Sequence, residues 1–335
     1  MATFYDASLN FATESTYGTY VAGTRALEYV DESLDFKPNK VQGKGLRASS
    51  RVARSGRRVT TTVQGEGKVT LEATTRGMGI VLSAAMGANA VTLVSGSTYQ
   101  HNYTLGDTPA SLSIQKGIPN TAGTVSTFSF LGCMVNSFTF SAPNDDIAKF
   151  DYDFDIRNLD TAQTFAALTY PTTPNLYHFG QSAATYSGTV TAPTTTAIAT
   201  GGTAATDIRD FEVTVNNNLT DDRFNVGGAG LKSKPTVGLR EITGKFTAEY
   251  AANTYRDDFI ADTERAIVVT LTSTEALSSG FATLQCVLPA VKLDSGIPVA
   301  NNGDLITVEH SFTVLDNLTA TQAIWFVLRT ADTTI

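Results

Sequence analysis

Phe150-Asp151-Tyr152-Asp153-Phe154-Asp155-Ile156 alternates without a break between apolar and acidic side chains. Successive side chains of an extended chain point to opposite faces. A period of two therefore marks a half-buried β-strand, aromatic on one face and acidic on the other. The same period runs through Lys68 to Ala73, Lys245 to Tyr250, Phe211 to Val215 and Ile306 to Glu309. Each such strand gives one face to a core and one to water or another subunit.

Around these strands the motifs occur twice and in the same order. Gly43-Lys44-Gly45-Leu46-Arg47 and Gly67-Lys68-Val69-Thr70-Leu71-Glu72 are answered by Gly228-Ala229-Gly230-Leu231-Lys232 and Gly244-Lys245-Phe246-Thr247-Ala248-Glu249. Cys133 in an apolar run and Asn158-Leu159 before Gln163 are expected to match Cys286 and Asn317-Leu318 before Gln322. Spacing drifts while order is kept, as when loops change length and strands do not. We expect two tandem β-sandwich or partial-barrel domains from an internal duplication, residues 1–164 and 165–335. Pro171, Pro174, Pro193 and the Thr-rich run Thr191 to Thr206 make 165–206 a linker, with a hairpin near Ala184 to Val190. One short helix per repeat is expected, near Met78 to Met86 and near Thr254 to Asp262, where Tyr255, Phe259 and Ile260 share a side. Two like domains suit a symmetric assembly better than a lone catalytic pocket.

Composition agrees with an all-β chain of two cores. The 335 residues are 42% hydrophobic and only 17% charged, which suits surfaces covered by partners. The opening stretch to Gly18 has no basic residue and carries Asp6 and Glu14, so it does not read as a secretory signal. The uncharged stretch Gly77 to Gln100 is broken by Gly79, Ser83, Gly87, Asn89 and Thr92. It reads as a short buried helix and a strand, with no membrane span. The two cysteines are expected to be buried free thiols.

Charge is unevenly placed. Lys37, Lys40, Lys44, Arg47, Arg51, Arg54, Arg57 and Arg58 follow one another with no acidic residue between them. The chain has 24 basic and 32 acidic residues, so without these eight the body holds 16 against 32. A basic loop thus projects from an acidic body. Phosphate binding is one reading, but the loop has no interleaved aromatics and the acidic remainder would repel nucleic acid. A loop that reaches an acidic surface of a neighbouring subunit fits both charges.

Enzyme chemistry finds no support, and neither cofactor nor metal is expected. Alternate side chains on a strand step by about 6.6–6.8 Å, whereas calcium wants oxygens at about 2.3–2.6 Å. Asp151, Asp153 and Asp155 therefore read as a solvated acidic stripe. His101, His178 and His310 are isolated, and no zinc or nucleophile-elbow spacing occurs. Gly43-x-Gly45 and Gly228-x-Gly230 lack the third glycine and the Lys-Ser/Thr pair of a phosphate cradle, so they read as flexible loop positions.

Several stretches resemble the major tail tube proteins of long-tailed, siphovirus-type bacteriophages, in the duplicated-domain form. Glu14-Ser15-Thr16-Tyr17-Gly18-Thr19 is similar to the "E-x-x-x-G-T" start of that family. Gly132 to Phe140 continues the likeness. So does Phe211 to Leu219, a strand ending in Asn217-Asn218-Leu219, followed by Arg240-Glu241-Ile242-Thr243-Gly244. The resemblance implies a structural virion protein made in the host cytoplasm, with trimeric rings of pseudo-sixfold symmetry stacked into a tube. Its partners would be itself, a tape measure protein, tail-end proteins and DNA in transient, non-specific passage, with no membrane. Asp151, Asp153 and Asp155, with Glu309 in the second repeat, would line the lumen. The basic loop 37–58 would hold the next ring. A capsid decoration protein, a tail terminator or an adhesin-like β protein would share the β character. A decoration or terminator protein would not need an acidic lumen, and an adhesin would usually carry a secretion signal and a stiff linker.

Overall fold

The computed structural model describes residues 6–299 and 305–334. Residues 1–5, 300–304 and 335, which fall within the expected repeats and the N-terminal reading, lie outside the described residues. The alternating stretch is the strand Lys149–Ile156, set antiparallel between Arg58–Glu72 and Val125–Ala142. Beyond Arg58–Glu72 come the short strand Asp31–Glu32 and the strand Asp35–Gln42. Beyond Val125–Ala142 the next strand comes from the other half of the chain, Ile208–Asn216. Glu241–Glu249, Thr307–Val314 and the end of Phe281–Leu293 follow. One antiparallel sheet therefore crosses from the first half to the second without a break.

Its inner face is aromatic because the alternation puts every second residue there. Phe138, Phe140, Phe150, Tyr152, Phe154, Phe211, Phe246 and Phe312 are all buried. Phe150 stacks on Tyr152 at 5.8 Å between ring centroids, and Phe211 on Phe312 at 5.9 Å. Phe140 to Phe211 at 6.5 Å carries the row across the junction between the halves. Such pairs contribute about 0.5–1.5 kcal/mol each beyond the area they bury.

A second layer closes the sandwich, and two long strands serve both layers. Val125–Ala142 pairs first with Leu112–Pro119 and Asn158–Asp160, turns at Gly132 with φ +62°, and then enters the inner sheet. Phe281–Leu293 does the same, pairing with Arg265–Ala276 and Trp325–Thr330 before it meets Thr307–Val314. Between the layers lies α1 (Gly79–Met86), in which every residue except Ser83 is buried. A helix apolar all round belongs inside. It stops at Gly87, whose φ of +91° suits the left-handed end of a helix. The second helix, α2 (Thr254–Ile260), buries Tyr255 but leaves Ile260 exposed, so its inward side is narrower than the sequence implied.

The pairings recur in order. Ser8–Thr13 on Leu112–Pro119 corresponds to Ser182–Tyr186 on Arg265–Ala276. Lys149–Ile156 on Arg58–Glu72 corresponds to Thr307–Val314 on Glu241–Glu249. Rung-by-rung matching corrects two sequence equivalences. Cys133 faces Leu112 beside a bulge, and the matching bulge in the second half places Val291 opposite Arg265. Cys133 thus answers to Val291, whereas Cys286, opposite Val269, answers to Phe128, opposite Lys116. Leu159 lies in a strand facing Phe130, but Leu318 is 90% exposed in a turn with φ +58°. Both cysteines are buried free thiols, and burial pushes both up in pKa.

The expected linker is in part docked. Tyr177 is fully buried against the first half, where it exchanges backbone hydrogen bonds with Ala73 and Ala148. The hairpin expected near Ala184 to Val190 lies further along, as Val190–Thr191 with Thr200–Gly201, because Ser182–Tyr186 pairs instead with Arg265–Ala276. Trp325–Thr330 also reaches back to pair with Thr98–Leu105 of the first half.

Candidate functional site

The face of the inner sheet opposite the aromatic row is polar across both halves. One row of cross-strand neighbours runs Thr70, Asp151, Thr139, Thr214, Thr243, Thr313. The next runs Glu72, Lys149, Ser141, Glu212, Lys245, Ser311. At the junction Thr139 Oγ1 and Thr214 Oγ1 are 2.8 Å apart, which ties the two halves through hydroxyls. Asp151 is exposed and accepts a hydrogen bond from Thr70 Oγ1. Glu309 is exposed and lies 3.4 Å from Lys245 Nζ. Glu309 faces Thr247 as Asp151 faces Thr70, so these two carboxylates hold equivalent places. Asp153 is half-buried. Burial pushes its carboxyl up in pKa, against the pull of Lys68.

Asp155 differs from the expected open stripe. It is buried in an ion pair with Lys232, itself only 2% exposed, which comes from the connection between Ile208–Asn216 and Glu241–Glu249. Burial pushes the Asp155 carboxyl up, with Lys232 drawing it down. Arg157 Nε donates to the Lys232 carbonyl at 3.0 Å, and its guanidinium lies 5.2 Å from the Tyr17 ring. Sequence position gave no signal for this, because the two partners lie 77 residues apart in the chain.

The basic stretch is not an open loop. Lys37 and Lys40 lie on Asp35–Gln42, Arg58 begins Arg58–Glu72, and the two strands form a hairpin arm. Lys44, Arg47, Arg51, Arg54 and Arg57 lie in its tip. Lys37 pairs with Glu66, but none of the other seven has an ion pair among the described residues.

The motifs behind the family resemblance are joints. The buried Glu14 carboxylate accepts from Gly18 N at 2.7 Å, Ser111 Oγ at 2.7 Å, Ser113 Oγ at 2.9 Å and Gly132 N at 2.8 Å. It thereby fixes the turn at Gly18 and the corner at Gly132. Asn217 Nδ2 donates to the carbonyls of Ala85, in α1, and Val135, both at 3.0 Å. Arg240 Nε donates to Asn217 Oδ1 at 2.8 Å, and Arg240 also bonds the Gly106 carbonyl. The second half is thus pinned to the first through Asn217 and Arg240.

Among the described residues no helix is long and apolar enough to cross a membrane, and no three His, Cys, Asp or Glu side chains gather as a metal site. Shared sheets, an unbroken polar face and a projecting arm define a structural protein of the assembly-forming kind. The chain belongs to the phage tail tube protein family, whose model matches residues 5–314. It is accordingly a structural protein of the virion tail, in a family that self-assembles into a tube. The chain matches none of the curated proteins compared with it.

Proposed function

We propose that three chains close into a ring of pseudo-sixfold symmetry and that rings stack into the conduit of a long, siphovirus-type tail. The two repeats, 1–164 and 165–335, act as the ring's six like positions. The chain serves as a wall and does no catalysis.

The junction between Val125–Ala142 and Ile208–Asn216 carries this reading. Each half contributes four strand positions to the inner sheet, so six halves supply roughly 24 strands. The row of neighbours from Thr70 arrives at Thr243, four residues short of the equivalent Thr247. A sheet that slips by a fixed amount at each repeat tilts its strands and closes into a barrel. With about 3.3 Å per residue and about 4.8 Å between strands, this slip gives a tilt of about 35°. The backbone radius is then about 22 Å, which leaves an open channel.

In that ring the polar face lines the lumen. Asp151, Asp153 and Glu309 put negative charge on a wall past which DNA phosphates would slide without sticking, and hydroxyls fill the rows between. The arm 37–58 reaches an acidic surface of the adjacent ring. A tape measure protein would fill the lumen before ejection, and tail-end proteins would close the stack. Native mass measurement of rings released from tubes is expected to give three chains. Six chains per ring would overturn the trimer, and a chain that never polymerises at high concentration would overturn the conduit.

A further inference from the structure

Among the described residues the inner sheet ends on both sides in an unpaired edge, and the internal junction supplies a template for how those edges meet. One edge is formed by residues 31–37, which pair with Arg58–Glu72 on one side and with no strand of the described residues on the other. Ladder matching makes Glu32, Leu34 and Phe36 the counterparts of Phe211, Val213 and Val215. In the second half those three positions face Ala142, Phe140 and Phe138 across the junction, which continues with Asn217 N donating to Asn136 O at 2.8 Å.

The outward donors of the 31–37 edge are not left bare. Glu32 N donates to Asp31 Oδ1 at 2.9 Å, Leu34 N to Glu32 Oε2 at 3.1 Å, and Phe36 N to Asp35 Oδ1 at 2.7 Å. Every second backbone N–H, on the side that would take another strand, is held by a carboxylate of the same edge. Charged residues that occupy a free edge guard against random pairing.

The opposite edge is the continuation of Phe281–Leu293. Asp294 N still bonds the Ser311 carbonyl at 2.8 Å, and then the ladder stops. Residues 295–299 occupy the places that Phe138 to Ala142 hold in the first half, but as irregular chain. Ile297 is 56% exposed and Val299 68%, where their counterparts Phe140 and Ala142 are 0% and 6%. Pro298 matches Ser141, whose N–H points away from the junction, so the missing donor costs the junction nothing.

We propose that the 31–37 edge of one copy takes residues 294–299 of a second copy as its next strand, with Leu34 opposite Ile297 and Lys37 opposite Asp294. The incoming carbonyls replace the carboxylates of Asp31, Glu32 and Asp35 on the edge donors. Ile297 and Val299 leave water, and Lys37 meets the Asp294 carboxylate. The edge is therefore closed to chance partners and open to one of matching register. This rests on the ring reading and adds to it the residues that join the copies.

Lys37 and Asp294 would form a non-hydrogen-bonded pair, with Cα atoms about 4.5 Å apart and within the reach of a disulfide. The test is oxidation of full-length Lys37→Cys/Asp294→Cys, in tubes and as concentrated unassembled protein, read on non-reducing gels. Covalent species should form between chains and close at the chain number of the ring. The control Lys37→Cys/Ile297→Cys puts the thiols on opposite faces and should link at least about tenfold less, since strand neighbours alternate sides. Tubes that form normally but link no better than the control would overturn this junction and leave the conduit reading intact. Absence of tubes from the unmodified chain would sink the conduit reading, while linked dimers in solution would still support the junction. Asp31→Ala/Asp35→Ala should assemble at a several-fold lower protein concentration. An unchanged or higher threshold would overturn the capping.

Discussion

Two connections occupy the same place in the ladder and end in opposite states. Between Asp35–Gln42 and Arg58–Glu72 the chain projects as an arm with a basic tip. Between Ile208–Asn216 and Glu241–Glu249 the chain folds down, buries Lys232 on Asp155 and gives the Gly230 carbonyl to Val63 N of the arm at 3.0 Å. What separates them is where each finds its countercharge. The folded connection meets a carboxylate of its own chain. Seven of the arm's eight basic residues have no such partner among the described residues. A connection whose central lysine is buried on a carboxylate of its own chain becomes part of the subunit, and one whose basic residues find no such partner among the described residues is left for another molecule.

The largest effect that could break this contrast is loss of tube growth. Arg51→Ser, Arg54→Ser, Arg57→Ser and Arg58→Ser together should abolish growth and leave the subunit folded with an unchanged thermal midpoint. Arg223→Ser/Lys234→Ser, in the folded connection, should leave growth intact. High salt should weaken stacking of the unmodified chain, because about 1 M salt shortens the screening length from about 10 Å to about 3 Å. Normal tubes from the quadruple variant would move the ring contact elsewhere on the surface.

Next in size is the buried pair. Lys232→Met leaves the Asp155 carboxylate buried and unpaired, which typically destabilises by about 3–5 kcal/mol, measured by denaturant melts at neutral pH. Burial raises the Asp155 pKa, and Lys232 is what draws it back. Without Lys232 the folded-state pKa rises further above the unfolded value. A group raised in this way favours folding below its unfolded pKa and loses that contribution as pH climbs through the folded one. The variant should therefore regain stability as pH falls, and Lys232→Met/Asp155→Leu should regain most of it at neutral pH. A Lys232→Met melt that matches the unmodified chain at neutral pH would make the pair incidental.

A smaller effect tests whether arm and connection touch. Gly230 has φ +77°, and a Cβ there would meet the Thr61 carbonyl oxygen at 2.5 Å. Gly230→Ala should destabilise by about 1–3 kcal/mol. It should also raise hydrogen exchange at Val63, whose amide the Gly230 carbonyl holds. Gly228→Ala, where φ is not positive and the nearest atom is 3.1 Å away, should matter less.

Sequence and structure agree where a local pattern carries the information. Phe150 to Ile156 alternates and is a strand, and both helices begin within a residue of their expected starts. The repeated Gly-Lys-x-Thr-x-Glu motif matches rung for rung, since Lys68 and Lys245 each lie opposite equivalent positions of the next strand. The cysteine match failed because residue identity does not reveal register: the bulges at Leu112/Ile114 and Arg265/Ile267 correspond, and the two cysteines lie on different rungs beside them. The Asn-Leu match failed because Asn158–Asp160 pairs as a strand whereas Leu318 sits in an exposed turn. The strand pairing within the basic stretch went unread for a related reason. Asp35–Gln42 has no apolar alternation of its own and is held by its partner strand. Asp155 was legible as acidic, but its burial depends on a lysine from the other half of the chain.

The smallest expected effect concerns Asp151 and Glu309, which the ladder makes equivalent despite unlike neighbours in sequence. Each faces a threonine, Thr70 or Thr247, and each is exposed. Exposed substitutions of this kind usually shift stability by no more than about 0.5 kcal/mol. Asp151→Asn and Glu309→Gln should therefore melt like the parent and form tubes of normal width. Their effect should appear in what passes through. With less negative charge on the wall, short duplex DNA should be retained longer in tubes at low salt and released as salt rises, since phosphate contacts weaken steeply with ionic strength. The two variants should act alike and add when combined, because each removes one carboxylate from an equivalent place. Accessibility gives an independent check. A bulky maleimide should label Glu309→Cys much more slowly in intact tubes than in dissolved subunits. Equal rates in the two would put this face on the outside of the tube, and the reading of Asp151 and Glu309 as lumen carboxylates would fail.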